Sequence, residues 1–440
     1  MVICEIEFCN NSRGIFYAGQ LISGQVVIKT DKEEPVKAVI LHIKGYAETH
    51  WADTEHDPED QSNGESFNGH VDYLATRAYL HGSSSSIEVL IEPGTSTYRF
   101  ACQLPITCPS SFEGTLGQIR YLVNVRFVRP WKYDLNFNRC FTVIKVMDLN
   151  SESLMLRVPS QVESQRTFCC FPCRSSPLSM RLSVPQGGFV PGQTVPVEVV
   201  VSNDSGVAVE DITVKLTMVV IYYSQPPSAD TNKDRFEMVL KTGGGVSTKC
   251  RKQLNFDLKV PATPPTCFNL CSIIQIGYQV EAEARVKGCH GGQSLHMPIT
   301  IGSVPLTKQL QKEPMTWGEV LPPQQLDAKA LILIGSEQLG EPLGIPNPWA
   351  ADPSIAQPTY AAAKHISLDP QKFSKSKKKS QKRSINVKGS QEKKHDAIVF
   401  LPLYGVFDLS NQVEELTLRT NELKTDGGYV NDEVEKSTWL

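Results

Sequence analysis

Three cysteines stand within five positions in Phe168-Cys169-Cys170-Phe171-Pro172-Cys173-Arg174, the densest group of thiols in a chain that has 12. Structural zinc takes four ligands, so Cys169, Cys170 and Cys173 would need a fourth, which Cys267 or Cys271 is placed in sequence to supply. Cys170-Phe-Pro-Cys173 has the spacing of a redox motif but lacks the βαβ surroundings of one. A bridge between Cys169 and Cys170 is disfavoured, because adjacent Cα atoms are only about 3.8 Å apart across a trans peptide. Vicinal cysteines among aromatics also invite acylation, although one acyl chain anchors only marginally. The plainest reading is a linker whose Phe168 and Phe171 pack between two domains.

A second thiol stands apart. Cys250 lies between Lys249 and Arg251, two fixed positive charges that favour a thiolate and so a redox-responsive contact with a thioredoxin-type protein. The competing reading is an ordinary strand cysteine. Cys4, Cys102 and Cys140 sit alone in apolar surroundings and read as small core hydrophobes. No His-Glu-x-x-His, phosphate loop, dinucleotide fingerprint or Gly-x-Ser-x-Gly elbow occurs, and Gly243-Gly-Gly245 lacks the strand-to-helix setting of a phosphate cradle. Neither catalysis nor a bound cofactor is expected.

The elements that carry these residues follow from composition and pattern. At 440 residues, 40% apolar and 21% charged with net charge −3, the chain suits two or three globular domains rather than a disordered or nucleic-acid-coating protein. The opening Met-Val-Ile-Cys-Glu-Ile-Glu-Phe-Cys-Asn is no signal peptide, and no run approaches the ~20 apolar residues of a membrane helix. A cytoplasmic location follows as an expectation, with free thiols and the sequons at Asn10 and Asn203 unglycosylated.

An internal repeat sets the architecture. Gly19-Gln-Leu-Ile-Ser-Gly-Gln-Val-Val-Ile28 aligns with Gly192-Gln-Thr-Val-Pro-Val-Glu-Val-Val-Val201 at an offset of 173, and Val39, Leu41 and Ile43 align with Ile212, Val214 and Leu216 at the same offset. Ile119-Arg-Tyr121 later matches Ile276-Gly-Tyr278 at 157, and the acidic, turn-rich stretch from Asp53 to Ser66 is the natural place for the extra length of the first copy. Ile274, Ile276, Tyr278, Val280, Ala282, Ala284 and Val286 alternate with Gln275, Gln279, Glu281, Glu283 and Arg285, as a strand with one wet face does. The prediction is all-β: two tandem immunoglobulin-like antiparallel sandwiches at 1–150 and 177–303, a linker at 151–176, and a largely disordered tail at 304–440. Within the tail, residues 372–394 carry ten Lys/Arg against one Glu. Val413, Leu416, Thr420 and Leu423 have the spacing of a short amphipathic helix.

At these residues the chain resembles the α-arrestin, or arrestin domain-containing, family. Phe112-Glu-Gly-Thr-Leu-Gly-Gln-Ile-Arg-Tyr121 followed by Arg129-Pro-Trp131 is similar to that family's signature near the end of its N-terminal domain. Tyr17-Ala-Gly-Gln-Leu-Ile-Ser-Gly24, Gly188-Phe-Val-Pro-Gly-Gln193 with Asn203-Asp-Ser205, and Val260-Pro-Ala-Thr-Pro-Pro265 leading into Cys271-Ser-Ile-Ile-Gln-Ile-Gly-Tyr278 add to it, as does a Cys-Cys-x-x-Cys before the second domain. The resemblance implies a non-enzymatic adaptor in protein trafficking and endocytosis. Its sandwiches would engage cytoplasmic parts of membrane proteins, and its tail would recruit WW-domain ubiquitin ligases through Pro-Pro-x-Tyr, at the plasma membrane or endosomes.

No intact Pro-Pro-x-Tyr is present. A WW domain reads polyproline II geometry and a tyrosine two residues beyond a proline. Leu401-Pro402-Leu403-Tyr404 keeps Pro402 and Tyr404, and Gln357-Pro358-Thr359-Tyr360 keeps Pro358 and Tyr360. The stretch Ala397–Phe407 is apolar for a tail and is equally suited to docking on the body as an added strand. Lys377, Lys378, Lys379, Lys382 and Arg383 form a patch for anionic lipid, worth ~1 kcal/mol per charge near a surface, whereas nucleic acid is not expected because aromatic interleaving is nearly absent. A ligase-independent sorting scaffold is the alternative that the missing motifs favour.

Overall fold

A computed structural model describes residues 1–52, 66–170, 173–174, 176–288, 290–307, 331–334, 357–366 and 400–409. The first sandwich contains β1 (Val2–Phe8), β2 (Ile15–Tyr17), β3 (Leu21–Thr30), β4 (Glu34–Val36), β5 (Ala38–Ala52), β6 (Ser66–Gly82), β7 (Val89–Ile91), β8 (Gly94–Gln103), β9 (Phe112–Glu113), β10 (Gly117–Val128) and β11 (Leu135–Ile144). One sheet carries β1-β3-β8 and the other β2-β11-β10-β5-β6, with β9 paired to β10 and β4 to β7.

The second sandwich repeats this plan. It contains β12 (Ser160–Arg166), β13 (Cys169–Cys170), β14 (Cys173–Arg174), β15 (Leu178–Val184), β16 (Gly188–Phe189), β17 (Thr194–Asn203), β18 (Val209–Tyr223), β19 (Thr231–Val246), β20 (Cys250–Lys259), β21 (Ile274–Val286) and β22 (Gln293–Ile301). Its sheets are β12-β15-β17-β20 and β16-β22-β21-β18-β19. Both sandwiches are thus antiparallel except where the short β2 and β16 run parallel to β11 and β22.

The repeat reaches the level of single hydrogen bonds. Gly19 and Gly192 hold equivalent turns at φ 86° and 93°, a left-handed region that glycine enters without strain. In the first turn the Gln20 side chain accepts from Tyr17 N–H at 2.9 Å, and in the second Gln193 accepts from Val190 N–H at 3.2 Å. Tyr121 donates its hydroxyl proton to Pro109 O at 2.8 Å, and its counterpart Tyr278 donates to Pro264 O at 2.5 Å. Every apolar residue expected on the inner face of β21, from Ile274 to Val286, is buried. Asn10 and Asn203, the two sequon asparagines, spend their side chains on backbone partners at Leu21 and Ser23 and at Val207, Val246 and Ser247 respectively.

Several features differ from expectation, each for a physical reason. Residues 160–166 form β12, an edge strand of the second sandwich rather than linker. Its sequence Ser-Gln-Val-Glu-Ser-Gln-Arg has a single apolar side chain, so no alternation betrays it. The extra length of the first copy is shared between residues 53–65 and residues 83–93, and the latter supply β7 as a partner for β4. Phe168 is buried against the His290 ring, with ring centroids 5.4 Å apart. That contact is at the Gln293 end of β22, away from the junction between the sandwiches.

Among the described residues, three tail segments carry secondary structure. β23 (Leu331–Ile334) pairs antiparallel with the free edge of β8. β24 (Thr359–Ala362) and β25 (Leu403–Val406) form an antiparallel pair, and a 3-10 turn at Lys364–Ile366 follows β24. The basic patch at 372–394 and the amphipathic stretch at 413–423 lie outside the described residues.

Candidate functional site

Among the described residues the two sandwiches meet at two places. In the first, the block Phe112–Tyr121 faces the end of β18. Phe112 is fully buried, Gly114 leaves room for the Tyr222 hydroxyl, and Thr115 hydrogen-bonds Asp234. Nearby, Thr49 Oγ1 donates to Tyr223 O at 2.8 Å, while Gln225 N–H donates to Asn68 O and its side chain accepts from His70 N–H, both at 2.8 Å. Beside this joint Arg120 grips Glu113 with two parallel bonds of 2.8 and 2.7 Å, their side chains 12% and 5% exposed. Burial pushes the Glu113 carboxyl up against the opposing pull of the guanidinium. The fork geometry keeps the pair charged.

The second joint is the seam formed by residues 144–157 and the end of β22. Ser303 N–H donates to Met147 O at 2.9 Å, Ser303 Oγ accepts from Met147 N–H at 2.7 Å, and Arg157 donates to Thr307 O at 2.7 Å and to Asn150 Oδ1 at 2.6 Å. An apolar cluster covers these bonds: Ile15, Tyr17, Ile144, Leu149, Val190 and Val304 from the body, joined by Phe407 from the tail.

The β24–β25 hairpin completes this cluster. Tyr404 is 2% exposed and donates its hydroxyl proton to Ser111 O at 2.8 Å; burial drives its pKa well above that of a free phenol. Leu403 N–H donates to Thr142 Oγ1 at 3.1 Å, and Phe407 N–H donates to Pro191 O at 2.9 Å. Tyr360 and Tyr17 share a hydroxyl–hydroxyl contact. Gly192, beside Pro191, lies so close to the tail that a Cβ there would overlap Phe407 O. Two buried aromatics and two side-to-backbone clamps therefore hold a segment more than a hundred residues beyond the second sandwich, with each buried side chain worth about 1.5–3 kcal/mol of transfer free energy.

This arrangement decides where the expected motifs stand. Pro402 and Tyr404 are buried, Pro358 is buried, Tyr360 is half-buried, and Leu401 is 52% exposed. Both Pro-x-Tyr segments are in extended β pairing, with Ala361 opposite Tyr404.

Family models for the N-terminal and C-terminal domains of arrestin (or S-antigen) match residues 4–150 and 174–306. The chain belongs to the α-arrestins, the arrestin domain-containing proteins. It is 28% identical over 319 residues to Arrestin domain-containing protein 17 of Caenorhabditis elegans, covering 70% of this α-arrestin and 71% of the relative. With Arrestin domain-containing protein 4 of Mus musculus the identity is 23% over 306 residues, 68% and 71% of the two chains. With Arrestin domain-containing protein 1 of Homo sapiens it is 24% over 234 residues, 53% and 52%. A general adaptor role in trafficking comes with the family. Among the described residues no helix is long and apolar enough to cross a membrane.

Cys169–Cys170 and Cys173–Arg174 pair as a two-stranded ribbon that sets Cys170 opposite Cys173. Cys271 and Cys267 are buried in the core, and the side chains of Cys169, Cys170 and Cys173 lie outside the described structure. Burial pushes Cys4 and Cys102 up to about 12 and Cys140 up to about 11, so all three stay as thiols at neutral pH. Cys250 is exposed at the start of β20, and Lys249 beside it bonds to Asp204 O.

Sequence reasoning missed the joint made by Gly114 and Thr115, although two glycines within six residues of a signature block mark a place of close approach. It also missed His365, which has no signature in the sequence.

Proposed function

We propose that this α-arrestin is a non-enzymatic adaptor that brings cytoplasmic parts of membrane proteins to ubiquitin-ligase or endocytic machinery. The observation that carries the tail's part in this is the pair of Pro-x-Tyr segments, Pro358–Tyr360 and Pro402–Tyr404, held side by side in one hairpin. A WW domain needs polyproline II geometry and a free tyrosine ring. The ligase-recruiting state is therefore the undocked hairpin. Membrane cargo would engage the sandwiches, and the basic patch at Lys377–Arg383 would add attraction to anionic lipid at the plasma membrane or endosomes.

A ligase-independent sorting scaffold is the second reading, favoured by the 2% exposure of Tyr404. Proximity labelling from the intact chain separates the two. Under the ligase reading, WW-domain ligases are labelled by wild type and lost in the Tyr360→Ala/Tyr404→Ala double variant, while membrane-protein labels persist. Equal ligase labelling by both chains, or coat proteins with no ligase in either, removes the ligase part. Cys250, exposed beside Arg251, remains the residue on which a thioredoxin-type contact would depend.

A further inference from the structure

We propose that the β24–β25 hairpin is an acid-released clasp, in which a proton taken up by His365 frees the tail from the seam. This concerns the segment on which the ligase reading rests, yet its test reads docking alone, so either can fail without the other.

The geometry is a chain of hydrogen bonds leading from Pro264 O through Tyr278 and Thr263 to His365. Tyr278 donates to Pro264 O at 2.5 Å, so its oxygen is left to accept from Thr263 Oγ1 at 2.8 Å. Thr263 Oγ1 in turn faces His365 Nε2 at 3.4 Å. In the imidazolium both ring nitrogens are donors, so the charged form must place an N–H at Nδ1. Nδ1 is buried and has no partner among the described residues. A proton arriving at Nδ1 creates a charge and a donor at a buried atom to which the described residues offer no acceptor.

Among the described residues no free carboxylate is recorded against the ring. From β21 the facing titratable group is Tyr278, whose pKa burial raises; from β18 Met218 touches the same hydroxyls; and Lys364 is the adjacent charge on the tail itself. The 3-10 turn also packs against β19, which carries Lys233, Asp234, Arg235, Glu237 and Lys241. Asp234 is engaged by Thr115, Arg235 by Glu281 and Glu237 by Lys215. Burial alone lowers His365 to about 4.

The sign follows from linkage. A base whose pKa is depressed in the docked state binds fewer protons there, so docking is at full strength above about 6.5 and is lost as pH falls towards 4. Between pH 7.5 and 5.5 the docking equilibrium should weaken about tenfold.

The test is hydrogen exchange on the full chain at pH 7.5 and 5.5, corrected for intrinsic rates. Protection of the Phe407 and Leu403 amides should fall about tenfold while the β21 amides stay protected. In His365→Gln the fall should disappear. Unchanged protection in wild type, or an equal fall in His365→Gln, overturns the proposal. If His365→Gln is already undocked at pH 7.5, an NMR titration of His365 in wild type decides: a midpoint well below 6.5 supports the clasp, and an unshifted midpoint refutes it.

Discussion

Glu113→Ala is expected to lower the unfolding free energy by about 3–5 kcal/mol, the usual effect of removing one member of a buried ion pair. Glu113 and Arg120 are 5% and 12% exposed and joined by two parallel bonds, so the substitution strands a guanidinium inside the protein. Neighbouring Gly114 and Thr115 contact Tyr222 and Asp234 of the second sandwich, and the loss should therefore reach the interdomain joint. Glu113→Gln keeps shape and one acceptor and should cost less. Urea unfolding of the full chain measures both. A loss below 1 kcal/mol for Glu113→Ala would mean that Arg120 finds water or another partner.

Gly192→Ala should release the tail hairpin. Its φ of 93° is strained for any residue with a Cβ, by about 1–2 kcal/mol, and the added carbon would overlap Phe407 O. Gly19→Ala is the control, because it brings the same strain at φ 86° in the equivalent turn of the first sandwich. Both variants should lose a few degrees of melting temperature, and only Gly192→Ala should open residues 400–409 to limited proteolysis. Similar cleavage of the two variants would show that the tail does not depend on the Gly192 turn.

What was legible in the sequence follows from how each residue is solvated. β21 was readable to the residue because one of its faces is wet and the other packs on β18 and β22, which forces strict alternation. The repeat was readable because Gly19 and Gly192 are both demanded by a left-handed backbone turn. β12 escaped because an edge strand with Glu163, Gln165 and Arg166 exposed has no apolar stripe to show. β23 escaped because four residues, Leu-Ile-Leu-Ile, are too few to carry a period. In the tail, the apolar run Ala397–Phe407 left docking open as one of two readings and gave no sign of its form: β25 pairs with β24, more than thirty residues upstream. Pairing over that separation depends on the groove left by Tyr17, Ile144 and Val190, which exists only once both sandwiches are folded.

Leu401→Pro gives the most direct test that the seam conceals the tail motif. Residue 401 is 52% exposed and precedes β25, and the change completes Pro-Pro-x-Tyr around Tyr404. A WW-domain fragment would be titrated into a free peptide spanning 396–411 and into the full chain, both carrying Leu401→Pro. Concealment reduces apparent affinity by the undocked fraction, so binding to the full chain should be at least about tenfold weaker than to the peptide. Equal affinity for peptide and full chain would contradict a hairpin held at the seam.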